Sequence, residues 1–397
     1  IVAHGLLCHM STQDVSLEMA VDVPATMRAC IFDAKAPSGV SLGSYPTPDV
    51  SNPFLLSPGN VLVKVHAFGV NPVDAKYVIG DKFPETWMDW CARRVTGHTP
   101  GFDFSGTIVK VPKSCSFRVG DEVFGLACDP SKLMVKTLKG SFAEYTPAPI
   151  NQIALKPKNL THAQAAALPL VGTTACQAFK EHGLKAGHRV LIIGASGGVG
   201  HIAVQVASLQ GAHVVAVCSG SNSEHVLQCG AKFVLDYRDG DIFEKISEEC
   251  NAHGAFDIIL DCVNSADSRD KEASYRSRIM AMKEITLTRG KGSDSHNYIV
   301  LGGLTKEWLQ AGLLRFTGLN CFARSFELFW IKMPKARPAL ELLAELADRA
   351  APGPSLVPKL NSADDFSEEA VRAAFESLRG RRTAGKIVLS IIKDIEN

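Results

Sequence analysis

The chain has 397 residues, which at roughly 150 residues per domain predicts two or three domains, or one large and one discontinuous one. Its 42 Lys and Arg balance 41 Asp and Glu for a net charge of +1, leaving no general field for nucleic acid or an anionic membrane surface. With 46% hydrophobic and 21% charged residues, the composition excludes a disordered or collagenous chain and can fill cores without staples.

The first 26 residues carry Asp14, Glu18 and Asp22 but no Lys or Arg, the opposite of a secretory n-region or an Arg-rich transit peptide. Residues 1–26 are therefore read as a poorly ordered extension. Because the chain opens on Ile1, an upstream organelle signal stays open. From Met27 to Pro157 short strands alternate with turns. Asn60–Ala67 alternates apolar and polar residues, Phe104–Val111 is strand-like, and Gly120–Gly125 reads as a turn feeding a strand. Residues 27–157 are expected to form a β-rich domain.

Beyond Leu160 apolar strands of four to six residues recur between helical stretches: Val190–Ile193, His213–Val217, Phe233–Leu235, Phe256–Leu260 and Tyr298–Leu301. Such runs imply a parallel sheet covered on both faces, placed in residues 158–350. Two stretches, Asn159–Phe179 and Val190–Ser223, contain no charged residue. Both are too polar or too glycine-broken for a span of about 20 predominantly apolar residues, so no membrane span is expected.

The strongest local signal is Val190-Leu-Ile-Ile-Gly-Ala-Ser-Gly-Gly-Val-Gly200. An apolar strand precedes it, and a helix follows with Ile202, Val206 and Leu209 on one face. Gly197 and Gly198 would let backbone approach a pyrophosphate, Gly200 would let the helix pack on the strand, and free N–H groups at the helix start would hold the anion. Ala195, Ser196, Gly197, Gly198, Val199 and Gly200 are thus candidate cofactor residues. At the end of the second strand, where NAD enzymes carry an acid for the ribose 2′-hydroxyl, this chain reads Val217-Cys-Ser-Gly-Ser-Asn222. Ser219, Ser221 and Asn222 can donate to a 2′-phosphate, with Tyr237 and Arg238 after the next strand, so NADPH is the expected cofactor. Cys262, Asn264, Leu301 and Gly302 lie at carboxyl ends of sheet strands, where a ligand of an open α/β sheet sits. His201 is expected on the helix near the phosphates.

Ser265–His296 is long, polar and charge-dense, as a surface excursion would be. Trp308–Met333 carries Trp308, Phe316, Phe322, Phe326, Phe329 and Trp330. These could face a substrate channel, a subunit partner such as a second copy in a homodimer, or an ordinary core. Residues 351–397 close the chain with a helix over Ser367–Leu378 and a strand over Ala384–Ser390. No helix follows that strand, so it is expected to return to the first domain. The 11 cysteines are scattered, no two closer in sequence than Cys218 and Cys229, and no CxxC occurs. This takes the main support from structural-zinc and redox-pair readings and is most simply a set of reduced thiols in a cytosol-like compartment.

Taken together, Gly194–Gly200, Leu168-Pro-Leu-Val-Gly-Thr-Thr-Ala175, Gly69-Val-Asn-Pro-Val-Asp74, Pro100-Gly-Phe-Asp-Phe-Ser-Gly106, Val119–Gly125 and Gly385-Lys-Ile-Val resemble the medium-chain dehydrogenase/reductase superfamily. Within it they are similar to the zinc-free quinone oxidoreductase and enone reductase branch, over Met27–Ile392. The resemblance implies an α/β fold: a GroES-like β-rich catalytic domain, completed by the C-terminal segment, plus a doubly wound parallel Rossmann sheet, with the active site in the cleft between them. Zinc members bind the metal through Cys, His and Cys, whereas Asn71 and Phe102 stand at the first two of these positions here. His98 mimics the motif four residues early and is expected to be a surface or loop histidine. No metal is therefore expected.

An isolated ketone gains from a Lewis acid on its developing alkoxide, but a conjugated enone or quinone spreads the incoming charge onto an enolate or hydroquinone oxygen. Hydrogen-bond donors then suffice. The resemblance implies that Asn71 lines the nicotinamide end and that Thr174 bonds its carboxamide side. Lys76 and Tyr77 could reach cofactor or substrate, and these two with Asn71 are the candidate catalytic residues. Asp74 is open between catalysis and a structural acceptor role, and Lys386 between phosphate binding and solvation at a strand edge. The expected activity is NADPH-dependent reduction of a small quinone or enone. An enoyl-thioester reductase of lipid or polyketide synthesis and a non-catalytic NADPH-binding interaction protein are the alternatives.

Overall fold

A computed structural model describes residues 22–33, 35–36, 38–49, 59–75, 96–113, 115–127, 140–263, 275–285, 297–302, 327–350, 353–380 and 383–392. Strands β1 (Thr26–Phe32) and β2 (Val40–Pro46) form a two-stranded antiparallel sheet. Next come β3 (Asn60–Val70), the short helix α1 (Pro72–Ala75), β4 (Asp103–Lys110), β5 (Glu122–Leu126), β6 (Tyr145–Pro149) and β7 (Ile153–Leu155). At the far end of the chain, β14 (Leu360–Asp365), α9 (Glu368–Arg379) and β15 (Lys386–Ser390) return to this β-rich part. The sheet order is β14-β15-β3-β4-β5-β7, with β6 also on β3. β15 runs antiparallel to β3, pairing Ile387 with Val70, so the expected return of the last strand is seen directly.

Between these parts lie α2 (His162–Ala166), α3 (Pro169–Glu181), β8 (Arg189–Ile193), α4 (Gly198–Leu209), β9 (His213–Cys218), α5 (Ser223–Gln228), β10 (Phe233–Asp236), α6 (Ile242–His253), β11 (Ile258–Asp261), α7 (Tyr275–Ala281), β12 (Tyr298–Val300), β13 (Glu327–Leu328) and α8 (Arg337–Ala347). The six strands β10-β9-β8-β11-β12-β13 form one parallel sheet. Successive side chains alternate between its faces: Val190 and Ile192 pack with α3, α4 and α8, while Leu191 and Ile193 pack with α6 and α7. Both faces are apolar because both are covered, which is why these strands read as unbroken hydrophobic runs. The fold is α/β, a β-rich part joined to a Rossmann sheet.

Three expectations change. The polar segment Ser265–His296 is not only a surface excursion, because within it α7 buries Ile279 and the following turn buries Ile285 against the second face of the sheet. β14 was not expected; its sequence LNSADD has no apolar alternation, and it pairs parallel with β15 from Leu360 to Asp365 at an edge of the sheet. The helix expected from Ser367 begins one residue later, with Ser367 capping it by accepting from the Ala370 N–H. Among the described residues no helix is long and apolar enough to cross a membrane. Cys30, Cys115, Cys176, Cys218, Cys229, Cys250 and Cys262 are free thiols.

Candidate active site

The turn from β8 into α4 carries the glycine loop. Gly194 has φ +77, open to glycine, and its N–H and that of Ala195 donate to the Val217 carbonyl, tying the loop to the end of β9. Gly197 is the helix N-cap and provides no side-chain cap, so first-turn N–H groups remain for an outside acceptor. A Cβ on Gly200 would stand 2.2 Å from the Gly194 carbonyl oxygen and 2.7 Å from the Ala195 Cα. A Cβ on Gly197 would meet only the Gly194 oxygen, at 3.3 Å. Gly200 therefore serves helix-on-strand packing, while Gly197 is less tightly enclosed. The loop fits a pyrophosphate cradle.

Ser219, Ser221 and Asn222 cluster beside it. The Ser219 and Ser221 hydroxyls are 3.1 Å apart, and Asn222 Nδ2 donates to Ser219 Oγ at 3.0 Å. Tyr237 is 44% exposed, and the Arg238 guanidinium lies 5.6 Å from its ring centre. The sequence did not reveal that a carboxylate stands near this turn: a Cβ on Gly220 would meet Asp236 Oδ2, from the end of the neighbouring β10, at 2.3 Å. Parallel pairing of Asp236 with Cys218 puts it there. Cys262 and Leu301 are fixed to the same strand ends, their N–H groups donating to Ile193 and Asp261 carbonyls, and Gly302 follows. Asn264 lies outside the described residues.

The second half of the site is a buried polar cluster. Asn71, between β3 and α1, donates through Nδ2 to Asp103 Oδ2 at 3.0 Å and accepts at Oδ1 from Lys386 Nζ at 2.6 Å. Lys386 also donates to Asp103 Oδ2 at 3.0 Å and to the Val70 carbonyl at 3.5 Å, which uses all three ammonium protons. The other Asp103 oxygen accepts the Leu170 N–H at the start of α3. Lys386 is only 3% exposed, so solvation at a strand edge is overturned: the β-sheet pairing of β15 with β3 carries its side chain inward. Asp103 was not singled out from the sequence, where its signal was its place in the Pro100–Gly106 run.

Asp74 Oδ2 accepts the Asn71 N–H at 2.8 Å, while Oδ1 is buried without a hydrogen-bond partner. Burial pushes this carboxyl up to about 8, against the opposing Asn71 N–H bond; Asp103 adds to the rise and Lys386 reduces it. The rise favours the neutral form of Asp74 at pH 7, and the Lys386 ammonium pairs with Asp103 at 3.0 Å. The two halves of the site touch: a Cβ on Gly198 would lie 3.4 Å from Lys386 Cδ, and the Gly385 N–H donates to the Ser196 carbonyl. Thr174, one turn into α3, donates its hydroxyl to the Leu170 carbonyl and keeps lone pairs for another donor. Lys76 and Tyr77 lie outside the described residues.

The positions expected to hold zinc ligands in metal-dependent relatives are occupied by an amide already bonded on both sides and by Phe102, a buried core residue. With the Lys386 ammonium against Asn71, this donor set does not fit a dication. No group of three or more His, Cys, Asp or Glu that could hold a metal occurs among the described residues. His98 is a loop residue whose carbonyl accepts the Phe32 N–H. Of the aromatic set, Phe329 packs into the core and Trp330 is 40% exposed, while Trp308, Phe316, Phe322 and Phe326 lie outside the described residues.

Comparisons with known proteins bear on the family and the fold. The alcohol dehydrogenase GroES-like domain matches residues 57–158, and the zinc-binding dehydrogenase family matches residues 198–276. The human mitochondrial NAD(P)H oxidoreductase RTN4IP1 is 31% identical over 358 residues, covering 87% of this chain and 85% of that protein. The trans-enoyl reductase pgmF of Aspergillus terreus is 34% identical over 261 residues, covering 62% and 67%. The solved quinone oxidoreductase from Coxiella burnetii superposes with a TM-score of 0.66 at 25% identity, over 92% of this chain and 99% of that one.

Proposed function

The chain belongs to the medium-chain dehydrogenase/reductase superfamily, and from that premise we propose that it is an NADPH-dependent reductase of quinones or α,β-unsaturated carbonyls that works without a metal. The observation that supports this is the contact of the glycine loop with the Asn71–Asp103–Lys386 cluster, a set of side chains whose mutual hydrogen bonds hold Asn71 in one orientation beside the loop. NADPH, when bound, supplies the hydride. Asn71 is held by Lys386 and Asp103 in one orientation at the nicotinamide end, and Lys386 acts through Asn71 rather than on a phosphate. Thr174 steadies the carboxamide side. Lys76 and Tyr77 are proposed to reach the cofactor or the substrate oxygen.

Ala195, Ser196, Gly197, Gly198, Val199 and Gly200 are proposed to hold the pyrophosphate, with Cys262, Asn264, Leu301 and Gly302 along the strand ends. For the adenosine end, Ser219, Ser221, Asn222, Tyr237 and Arg238 support NADPH, and Asp236 behind Gly220 opposes it. The test is NADPH oxidation with a naphthoquinone and with a simple enone, each with and without a chelator. Turnover of either acceptor that survives chelation is expected; silence toward both, or loss on chelation, overturns the proposal. The Aspergillus terreus relative keeps an enoyl-thioester substrate as the second reading, separated by assay on enoyl-CoA.

The free thiols suit a reducing compartment, and the cytoplasm is proposed, with mitochondria the alternative that the human relative's name offers. Cell fractionation decides between them.

A further inference from the structure

His201 sits in the first turn of α4, fully buried. One ring nitrogen, Nδ1, is 2.8 Å from the Gly197 carbonyl oxygen, and the other, Nε2, is 3.2 Å from the Lys359 backbone nitrogen. A backbone N–H can only donate, so Nε2 must be the acceptor and the single ring proton must lie on Nδ1, where the Gly197 carbonyl takes it. Burial, with His225 and Lys386 nearby, holds the ring far below the ordinary histidine range, at about 4, so it is neutral.

Each of its two bonds leads to one half of the site. Gly197 is the N-cap residue of the glycine loop. Lys359 belongs to the returning C-terminal segment, and its carbonyl accepts the Lys386 N–H at 2.9 Å. The same segment is held one turn along the helix, where Gln205 donates to the Val357 carbonyl and accepts the Val357 N–H. A continuous path therefore runs from the loop through His201, Lys359 and Lys386 to Asn71 and Asp103.

We infer that His201 is a positioning residue that sets the glycine loop relative to the Lys386–Asn71 cluster, its Nδ1–H bond shaping the loop for the dinucleotide and its Nε2 bond fixing that loop over the reacting end. The inference rests on the loop binding a nicotinamide dinucleotide. Its two bonds can be separated by substitution. Asn places an amide nitrogen where Nδ1 stands and keeps the loop bond; Gln places a carbonyl oxygen where Nε2 stands and keeps the Lys359 bond.

The experiment measures the NADPH dissociation constant by fluorescence, and kcat with a naphthoquinone, for the full chain and for His201→Ala, His201→Asn and His201→Gln. His201→Ala is expected to weaken NADPH binding and to lower kcat, each on the order of five- to tenfold, as for loss of one buried hydrogen bond. His201→Asn should recover the dissociation constant but not kcat, and His201→Gln should recover kcat but not the dissociation constant. An Ala variant within twofold of the parent on both measures, or all three variants shifting both in parallel, overturns the inference. If the parent chain itself binds no NADPH or NADH, the dinucleotide assignment falls and this inference with it. Nitrogen-15 NMR of the parent supplies a measurement independent of variant folding: an Nε2–H or cationic ring at pH 7 overturns the inference.

Discussion

The ammonium of Lys386 stands 2.6 Å from the side-chain oxygen of Asn71, although 315 positions separate them in the chain. The last strand thereby completes a polar cluster begun by the third, and Asp103 balances the buried charge at 3.0 Å. An ion pair so placed contributes little net stability, but losing one partner strands the other.

Lys386→Met tests this. It leaves the Asp103 carboxylate buried with no cation, and the expected cost is about 3–5 kcal/mol in chemical denaturation. Adding Asp103→Asn removes the stranded charge and should return most of that stability. The double variant should still lack activity, because Asn71 has lost the bonds that orient it. A double variant as unstable as Lys386→Met would show that the pairing does not account for the cluster.

Two loop glycines should separate fold from ligand. Gly200→Ala drives a Cβ into the Gly194 carbonyl and the Ala195 backbone, so a fall in melting temperature is expected. Gly197→Val meets only the Gly194 oxygen, at 3.3 Å, so its melting temperature should fall less than that of Gly200→Ala, while NADPH binding is abolished in a fluorescence titration. Retained affinity in Gly197→Val would show that the loop is not a phosphate cradle.

Much of this was legible in the sequence because it is written in local patterns. The Gly194–Gly200 turn and the strands of the parallel sheet each announce themselves within a dozen residues, and the absence of paired cysteines was equally plain. The polar cluster was legible only as separate members. Asn71 and Lys386 were both singled out, but their bond depends on the antiparallel register of β15 on β3, which neither segment encodes alone. Asp236 was missed for the same reason, since an acid on one strand reaches the turn after the next only through parallel pairing. β14 was missed because an edge strand with polar residues lacks the alternation that marks a half-buried one.

Asp74 predicts a pH dependence of stability. Its carboxyl is held neutral in the fold up to about 8, while in the unfolded chain it ionises near its ordinary 3.8. A raised acid pKa means that the folded state binds the extra proton, so this contribution is full below about pH 4 and is lost as pH rises toward 8. The loss should approach at most about 1.4 kcal/mol per pH unit. Asp74→Asn keeps an acceptor for the Asn71 N–H and cannot ionise, so its denaturation midpoint should vary less across this window. A variant tracking the parent at every pH would assign the slope to other groups.

Asp236 offers a sharper test of cofactor choice. Its Oδ1 accepts the Arg238 N–H, and its Oδ2 lies against Gly220 in the turn that is proposed to hold the adenosine end. A carboxylate there repels a 2′-phosphate and leaves a 2′-hydroxyl unaffected or aided. Asp236→Asn removes the charge but keeps an oxygen for Arg238. NADPH affinity should therefore rise by on the order of threefold to tenfold, corresponding to about 1 kcal/mol for a partly solvated charge pair. NADH affinity should stay level or fall. Parallel titrations of both cofactors against both proteins read this directly. An unchanged ratio would place the 2′-position away from Asp236, leaving Ser219, Ser221 and Asn222 as the groups that set the preference.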